Sequence, residues 1–271
     1  MIDPARPECY YLRLPAAEGA VQRFRPTVHT EGAWQPGEQH MAPVSGVIVH
    51  ALQTFLGDRP GAPSQISRLA FEILGVIPGQ DFTVEVAVVR PGRTIELVEA
   101  TMVAAGRPVV RARAWLLSRQ DTAAVAGGQP DPLPPPDGLP PWSGSSGWSG
   151  GYIRSLQTRE LPGREPGRTR AWIRTAVDLV DEPVSDLARF VGLVDTANGI
   201  AVRQPPSTWM FPNVDLSIHL YRQPVAGWVG FDTTVVFGTD GVGLTSTTLH
   251  DRHGPVGRCE QSLTVRPRAG V

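Results

Sequence analysis

The chain has 271 residues, of which 41% are hydrophobic and 19% are charged. This balance is typical of a globular protein, and the length allows two ordinary core-bearing units or one large one. The formal net charge of −1 gives no electrostatic reason to expect a nucleic-acid partner. Arginine supplies all of the Lys+Arg total of 25. This usage fits a GC-rich coding bias, phosphate recognition by the guanidinium group, or both.

Cysteine usage and the N-terminus narrow the class of protein further. The two cysteines, Cys9 and Cys259, lie far apart in the sequence and form neither a metal motif nor a disulfide framework. The opening MIDPARPECYYLRL has no basic region followed by an apolar run, so it predicts no signal peptide. No apolar stretch approaches the roughly 18 residues of a membrane span. We therefore expect a cytoplasmic protein with no metal, no cofactor and no membrane span.

The first half of the chain predicts strands around one helix. Short strands are expected at Tyr10–Leu14 and Val21–Pro26, before a loop at Thr27–Gly37. Apolar residues recur with a period of 3.6 over Pro43–Leu56, which predicts a helix. The segment Ile66–Leu117 then reads as a run of antiparallel strands.

The second half follows the same plan after a linker. Residues 120–151 are rich first in Pro and then in Gly and Ser, without any period, and we expect Trp142 and Trp148 to pack this linker onto the surface. Strands are predicted at 152–160 and 168–177, a helix at Ser185–Val202 with Ser185 as N-cap, and further strands over Val214–Val265.

One helix followed by about four antiparallel strands thus occurs twice. The pattern predicts a duplicated α+β unit, with the two units laid side by side so that one continuous sheet wraps both helices. We expect an N-terminal unit at 1–119, the linker at 120–151 and a C-terminal unit at 152–271.

An aspartate in the second predicted helix is the strongest candidate for chemistry. Asp195 lies four residues after Val191 and eight after Leu187, which places it on or beside the apolar stripe. It is either a helix-edge residue that reaches water or a poised carboxylate whose pKa is raised by burial.

Two downstream amides are candidate partners for this carboxylate. Asn213 precedes the strand VDLSIHL, and Gln261 lies in the last strand. Alone, Asn213 is equally well a turn residue and Gln261 a surface strand residue. Together with Asp195, however, two amides can hold one water whose proton the carboxylate accepts.

Comparison of the two copies indicates that only the second carries this chemistry. When Arg111 is aligned with Arg258, Ala114 falls opposite Gln261, and Pro43–Leu56 contains no acidic residue. The acid and the amide are thus both absent from the first copy, which we interpret as a scaffold.

Other signals are weaker. No GxGxxG motif occurs, and no GxSxG elbow is found, since the spacing GWSGG at 147–151 lies in the Gly/Ser-rich linker. His250 and His253, in HDRH, are explained by a polar turn, although a metal pair stays open. His40 and His50 lie at or in the first predicted helix, where His50 either lines a pocket or packs in the core.

Three segments resemble the bacterial acyl-CoA thioesterase II family, whose members have a double hotdog fold. GLVDTANGI is similar to the family's helix with the catalytic aspartate and matches it at Asp195. GPVGRCEQSLTV is similar to the strand with the catalytic glutamine and matches it at Gln261. FPNVDLSIHLYRQP is similar to a strand in which the family has Ser or Thr where this chain has Asn213.

The resemblance implies hydrolysis of a fatty acyl-CoA thioester without a covalent intermediate. Asp195 would act as general base on a water that Asn213 and Gln261 position. A backbone amide would polarise the carbonyl, with Gly46, His50 and Asn198 as substrate-binding residues. A non-catalytic acyl-CoA-binding protein is the alternative, and a hotdog dehydratase is disfavoured because the first helix places no acid near His50. Formation of a homo-oligomer through sheet edges stays open.

Overall fold

The computed structural model describes residues 8–15, 21–32, 34–57, 65–142 and 147–268. Of the residues singled out above, only some in the N-terminal stretch and in the linker lie outside these ranges. The first unit contains helix α1 and six strands: β1 (Cys9–Leu14), β2 (Gln22–Pro26), α1 (Met41–Gly57), β3 (Gln65–Ile73), β4 (Phe82–Arg90), β5 (Ile95–Ala104) and β6 (Arg107–Leu117).

The second unit contains three helices and the remaining strands. Their bounds are α2 (Gly151–Arg154), β7 (Leu156–Glu160), β8 (Arg168–Thr175), β9 (Asp178–Val180), α3 (Asp186–Val194), α4 (Ala197–Ile200), β10 (Trp209–Met210), β11 (Asp215–Leu220), β12 (Val229–Phe237), β13 (Val242–Asp251), β14 (Gly254–Thr264) and β15 (Arg266–Pro267). Short 3-10 helices occur at Val28–Thr30 and Ala123–Val125.

Thirteen of the described strands form one continuous sheet, in the order β7-β8-β12-β13-β14-β11-β3-β6-β5-β4-β2-β1-β9. The units join where β11 pairs antiparallel with β3, with Asp215 opposite Glu72 and His219 opposite Arg68. They join again where β9 pairs in parallel with β1. Backbone hydrogen bonds therefore link the two units at both places, and the predicted double hotdog fold is confirmed.

Helices α1 and α3 pack against each other inside the sheet. Every residue from Met41 to Leu52 of α1 is buried, because sheet strands and α3 surround the helix. The backbones approach closely at Gly46 and Gly192, and Ser45 Oγ donates to the carbonyl of Val191 at 3.0 Å. This contact fixes the end of α3 relative to the start of α1.

The predicted second helix is divided. Ser185 accepts a hydrogen bond from the backbone N–H of Ala188, as expected for an N-cap. The helix ends at Val194, and Asp195 and Thr196 form a turn before α4. A continuous helix over 185–202 was therefore wrong, because the hydrophobic period runs through the turn and does not reveal it.

The linker packs against the second unit, as its tryptophans predicted. Trp142 is 6% exposed, and Trp148 Nε1 donates to the carbonyl of Gly199 at 3.2 Å. Trp172 Nε1 donates to the carbonyl of Pro134 at 2.8 Å. Residues 152–154, predicted as strand, belong to the short helix α2 instead. Among the helices described, none is both long and apolar enough to cross a bilayer.

Candidate active site

Asp195 lies at the junction of α3 and the turn that leads to α4. Its backbone is still near helical, with φ −64° and ψ −8°. The apolar side of α3 faces the core, so the residue that ends this helix is drawn inward as well, and its side chain is only 5% exposed. The hypothesis of a buried carboxylate is thereby confirmed, and the alternative of an aspartate that reaches bulk water is wrong.

Both predicted amides contact this carboxylate. Asn213 Nδ2 donates to Asp195 Oδ1 at 2.7 Å, and Gln261 Nε2 donates to the same oxygen at 2.9 Å. Asn213 stands just before β11, where it bridges to Leu263 of β14, and Gln261 lies in β14 itself. The sheet therefore brings to one oxygen of Asp195 two donors that are 48 residues apart in sequence.

The two amides differ in what else they face. Asn213 Nδ2 also donates to the carbonyl of Asp215 at 2.9 Å, so both of its N–H bonds point at acceptors and its orientation is defined. Asn213 lines both cavities at the site. Gln261 is fully buried and is not among the residues that line either cavity. In this geometry Gln261 holds the carboxylate, and Asn213 alone of the two faces the space in front of it.

A third group at the site is His40, which the sequence analysis did not place there. His40 directly precedes α1, and its Nδ1 lies 3.7 Å from Asp195 Oδ2. The ring packs over Tyr152 with centroids 4.2 Å apart. Its nearness to Asp195 depends on the contact between α1 and α3, which hydrophobic periodicity cannot give. The only signal in the sequence was a histidine immediately before an apolar helix.

The two titratable groups are shifted so that each favours its uncharged form. Burial raises the pKa of Asp195 to about 7, and the hydrogen bonds from Asn213 and Gln261 oppose that shift. Burial lowers the pKa of His40 to about 3. The Ala42 N–H donates to His40 Nδ1 at 3.0 Å, so the ring proton belongs on Nε2. His40 and Asp195 are therefore close neighbours but not an ion pair.

Two cavities meet at Asp195, His40, Trp34 and Asn213. The first, which we call the tryptophan cavity, has a volume of about 40 Å³. Besides the shared four it is lined by Trp142, Trp148, Ile153, Leu156, Thr158, Thr196, Asn198, Gly199 and Ile200.

The second, which we call the Arg266 cavity, has a volume of about 260 Å³ and carries two charged residues of its own, Glu38 and Arg266. It is lined in addition by Gly32, Gln35, Glu38, Gln39, Met41, Ile73, Gly75, Val76, Ile77, Met210, Pro212, Val214 and Arg266. The carboxylate of Asp195 thus lies between the tryptophan cavity, with its aromatic wall, and the Arg266 cavity, which has an arginine in its wall.

The predicted substrate-binding residues do not all lie here. Asn198 lines the tryptophan cavity, and its Nδ2 donates to the carbonyl of Phe211 at 2.9 Å. Gly46 lies inside α1, so its N–H belongs to the helix. It packs against Gly192 and Ala188 of α3. It lines neither cavity at Asp195, so the structure does not bring it to the site.

His50 is also away from both cavities. Its Nε2 lies 2.7 Å from Glu182 Oε1, and its ring meets Phe24 edge-on. The acid that the first helix lacks thus comes from the second unit, just before α3. The first helix places no acid near His50, as expected, but the second unit does, which the sequence did not reveal.

The other histidine pair does not form a metal centre. His250 is buried in β13 beside Trp172, and His253 lies in the turn after Asp251. Arg222 donates to both carboxylate oxygens of Asp251 at 2.7 Å each. Within the described ranges no group of three or more His, Cys, Asp or Glu side chains is placed to hold a metal.

Two family models match the chain. The model of the acyl-CoA thioesterase N-terminal domain matches residues 30–117, and that of the acyl-CoA thioesterase C-terminal domain matches residues 129–265. These matches include His40 in the first and Asp195, Asn213 and Gln261 in the second. No curated protein sequence matches this chain.

Solved structures share the fold along nearly the whole chain. A protein of unknown function with a hot dog fold from Alicyclobacillus acidocaldarius superposes with a TM-score of 0.73 at 15% identity, covering 94% of this chain and 96% of that one. The acyl-CoA thioesterase II TesB2 of Mycobacterium marinum gives 0.69 at 16% identity, covering 95% and 96%. The tesB protein of Mycobacterium avium subs paratuberculosis gives 0.65 at 17% identity, covering 93% and 95%.

Proposed function

The chain belongs to the acyl-CoA thioesterase family and is a thioester hydrolase, and we propose that Asp195 is its general base. The observation that carries this proposal is the arrangement of the carboxylate: one oxygen accepts two amide hydrogen bonds, while the other faces His40 and the cavities. A carboxylate held in this way presents Oδ2 to a water. Its pKa of about 7 is close to neutral pH, where a general base is most effective.

The attacking water is held between Asp195 Oδ2 and Asn213 Oδ1. Because both N–H bonds of Asn213 are directed at Asp195 and at the carbonyl of Asp215, the amide oxygen is turned away from them. That oxygen makes no hydrogen bond with the residues described, and Asn213 lines both cavities. A water that donates to two acceptors keeps a lone pair for attack. Asn213 thereby does the work for which the family uses a Ser or Thr hydroxyl.

Hydrolysis then needs no covalent bond to the enzyme. Asp195 Oδ2 takes a proton from the water as the water oxygen bonds to the thioester carbon. The carbonyl oxygen becomes an oxyanion, and its collapse breaks the carbon–sulfur bond. The proton on Asp195 passes to the leaving thiolate, which releases a carboxylic acid and free coenzyme A and returns the carboxylate to its starting state.

We assign two donors to the oxyanion. His40 Nδ1 accepts from the Ala42 N–H, so the ring proton lies on Nε2 and can be donated to the substrate. Because the ring is neutral, it keeps this one donor throughout the physiological pH range. Met41 is the first residue of α1 and lines the Arg266 cavity. Its N–H is one of the groups that a helix leaves without an internal partner. Donors fixed in a buried site stabilise developing charge strongly. They replace Gly46 in the role that the sequence resemblance implied.

The two cavities bind different parts of the substrate. The tryptophan cavity, with its aromatic wall, receives the acyl group. The Arg266 cavity receives the pantetheine arm, and Arg266 is available to a phosphate of the nucleotide. The carbonyl between them then lies at the point where Asp195, Asn213 and His40 meet.

Asp195→Asn tests the assignment directly. Asparagine keeps an oxygen that can accept from Asn213 and Gln261, but it cannot accept the proton of the water. We expect thiol release from acyl-CoA to fall by at least about a thousandfold while substrate still binds. Normal turnover in this variant would refute the role of Asp195. Binding of acyl-CoA without thiol release by the unaltered chain would identify a binding protein instead of an enzyme.

A further inference from the structure

We propose that this enzyme is specific for short acyl chains, and that Trp148 of the linker forms the end wall that limits their length. The inference rests on the proposed function, because it assigns the tryptophan cavity to the acyl group. It goes beyond that function by naming the substrate class and a specificity-determining residue. Three features carry it: the small free space in the cavity, the hydrogen bond that fixes Trp148 in its wall, and the packing behind that wall.

The free space in the tryptophan cavity is small. It holds about three water molecules. A methylene group occupies roughly the volume of a water molecule, so the cavity accepts on the order of three acyl carbons beyond the carbonyl. The Arg266 cavity on the other side of Asp195 is several times roomier. The restriction is therefore specific to the side that we assign to the acyl group.

Trp148 is fixed in the wall of this cavity by a hydrogen bond. Trp148 and Gly199 both line the cavity, and Gly199 follows Asp195 by four residues. Trp148 Nε1 donates to the carbonyl of Gly199 at 3.2 Å. That hydrogen bond anchors the indole where it borders the acyl side of the site.

The indole of Trp148 is held firmly from behind. Its ring meets Trp34 edge-on with centroids 4.9 Å apart, and it meets Phe211 at 5.9 Å. Trp34 in turn contacts Phe211 at 5.3 Å. Phe211 is buried in a small core of its own with Val235 and Leu263. To swing Trp148 aside, a longer acyl chain would have to break these ring contacts and the hydrogen bond to Gly199.

The affinity for thioether analogues of acyl-CoA, which cannot be hydrolysed, tests chain length independently of catalysis. S-butyl-CoA and S-octyl-CoA would be titrated into the full chain by calorimetry. We expect the butyl analogue to bind at least about tenfold more tightly than the octyl analogue, because the longer chain has no room. In Trp148→Ala the removed indole opens the cavity, so the octyl analogue should bind at least as tightly as the butyl one.

Two further variants control for indirect effects. Trp148→Phe keeps an aromatic wall and loses the donor to Gly199, so the preference for butyl should persist. Trp115→Ala removes a half-buried tryptophan from β6, in the other unit, and should leave both affinities unchanged. Thermal unfolding of each variant shows whether it is folded.

The outcomes separate this inference from the proposed function. Equal or tighter binding of the octyl analogue to the unaltered chain would overturn the short-chain specificity. An unchanged preference in a folded Trp148→Ala variant would overturn the role of Trp148. If butyl analogues bind as expected but butyryl-CoA yields no free thiol, the specificity stands and the hydrolase mechanism fails. Binding of neither analogue would overturn both.

Discussion

His40 Nδ1 lies 3.7 Å from Asp195 Oδ2, yet the two side chains do not share a charge. The ring nitrogen that faces the carboxylate already accepts a hydrogen bond from Ala42, and burial lowers the pKa of His40 to about 3. A charged imidazolium here would stabilise the aspartate anion and make it a weak base. The neutral ring leaves the pKa of Asp195 high, which suits the general base that we propose.

The first prediction concerns the pH dependence of hydrolysis. Asp195 must be ionised to act as a base, and its pKa is about 7. We expect kcat/KM for butyryl-CoA to increase with pH, to reach half its maximum near pH 7, and then to level off. His40, already neutral above about pH 3, adds no second limb near neutral pH. A profile that is flat between pH 5 and 9 would contradict Asp195 as the base.

The second prediction concerns stability, which should change in the opposite direction. In the unfolded chain the aspartate titrates near pH 4, whereas in the folded protein it keeps its proton up to about pH 7. Between these values unfolding releases a proton, so the free energy of unfolding falls as pH rises, by on the order of 4 kcal/mol in total. Asparagine does not titrate, so Asp195→Asn does not lose stability in this way as pH rises. Its midpoint of thermal unfolding should exceed that of the unaltered chain at pH 8, and the gap should close towards pH 4.

The third prediction separates positioning from contact with substrate. Gln261 donates to Asp195 Oδ1 at 2.9 Å and lines neither cavity, so it acts only through the carboxylate. Gln261→Leu keeps a similar volume and removes the donor. We expect the pKa of Asp195 to rise further, which moves the midpoint of the pH profile upward and lowers the rate at pH 7.

The measurement is a full pH profile of kcat and KM for Gln261→Leu beside the unaltered chain. Recovery of activity at high pH with an unchanged KM would identify Gln261 as a positioning residue. A large increase in KM with an unshifted profile would instead mean that the amide touches the substrate.

The fold and the grouping of Asp195, Asn213 and Gln261 could be predicted from the sequence for a physical reason. Alternation of apolar residues within strands and a helical period in α1 are local signals, and the duplication places them in order. Asp195 stood out because a carboxylate on an apolar stripe is costly. Ala114, opposite Gln261 in the repeat, is buried in β6 between Leu69 and Val98, so the first copy fills that position with an apolar residue.

What the sequence could not supply depends on contacts between distant segments. The approach of His40 to Asp195 and of Glu182 to His50 follows from how α1 crosses α3. The same applies to Trp148, whose aromatic character predicted packing but not the cavity that it lines. The resemblance implied that Gly46, at the first helix, binds the substrate, and only the crossing of α1 and α3 shows that Gly46 packs against Gly192 instead.

The last prediction tests that crossing with two glycines of the same interface. A Cβ at Gly46 would lie 2.8 Å from Gly192 Cα and 2.9 Å from the carbonyl oxygen of Ala188, and both of these atoms belong to the backbone. A Cβ at Gly192 would meet its nearest neighbours at 3.6 Å, an ordinary contact. Gly46→Ala must therefore push the helices apart, and we expect it to destabilise the fold by about 1–3 kcal/mol.

Gly192→Ala is the matched control, because the new methyl group fits and alanine favours a helix over glycine by up to about 1 kcal/mol. It should leave stability unchanged or raise it. Chemical denaturation measures both effects, and the KM of the folded fraction reports any role in substrate binding. A Gly46→Ala variant of normal stability with an increased KM would return Gly46 to the substrate site, whereas loss of stability at constant KM assigns it to the contact between α1 and α3.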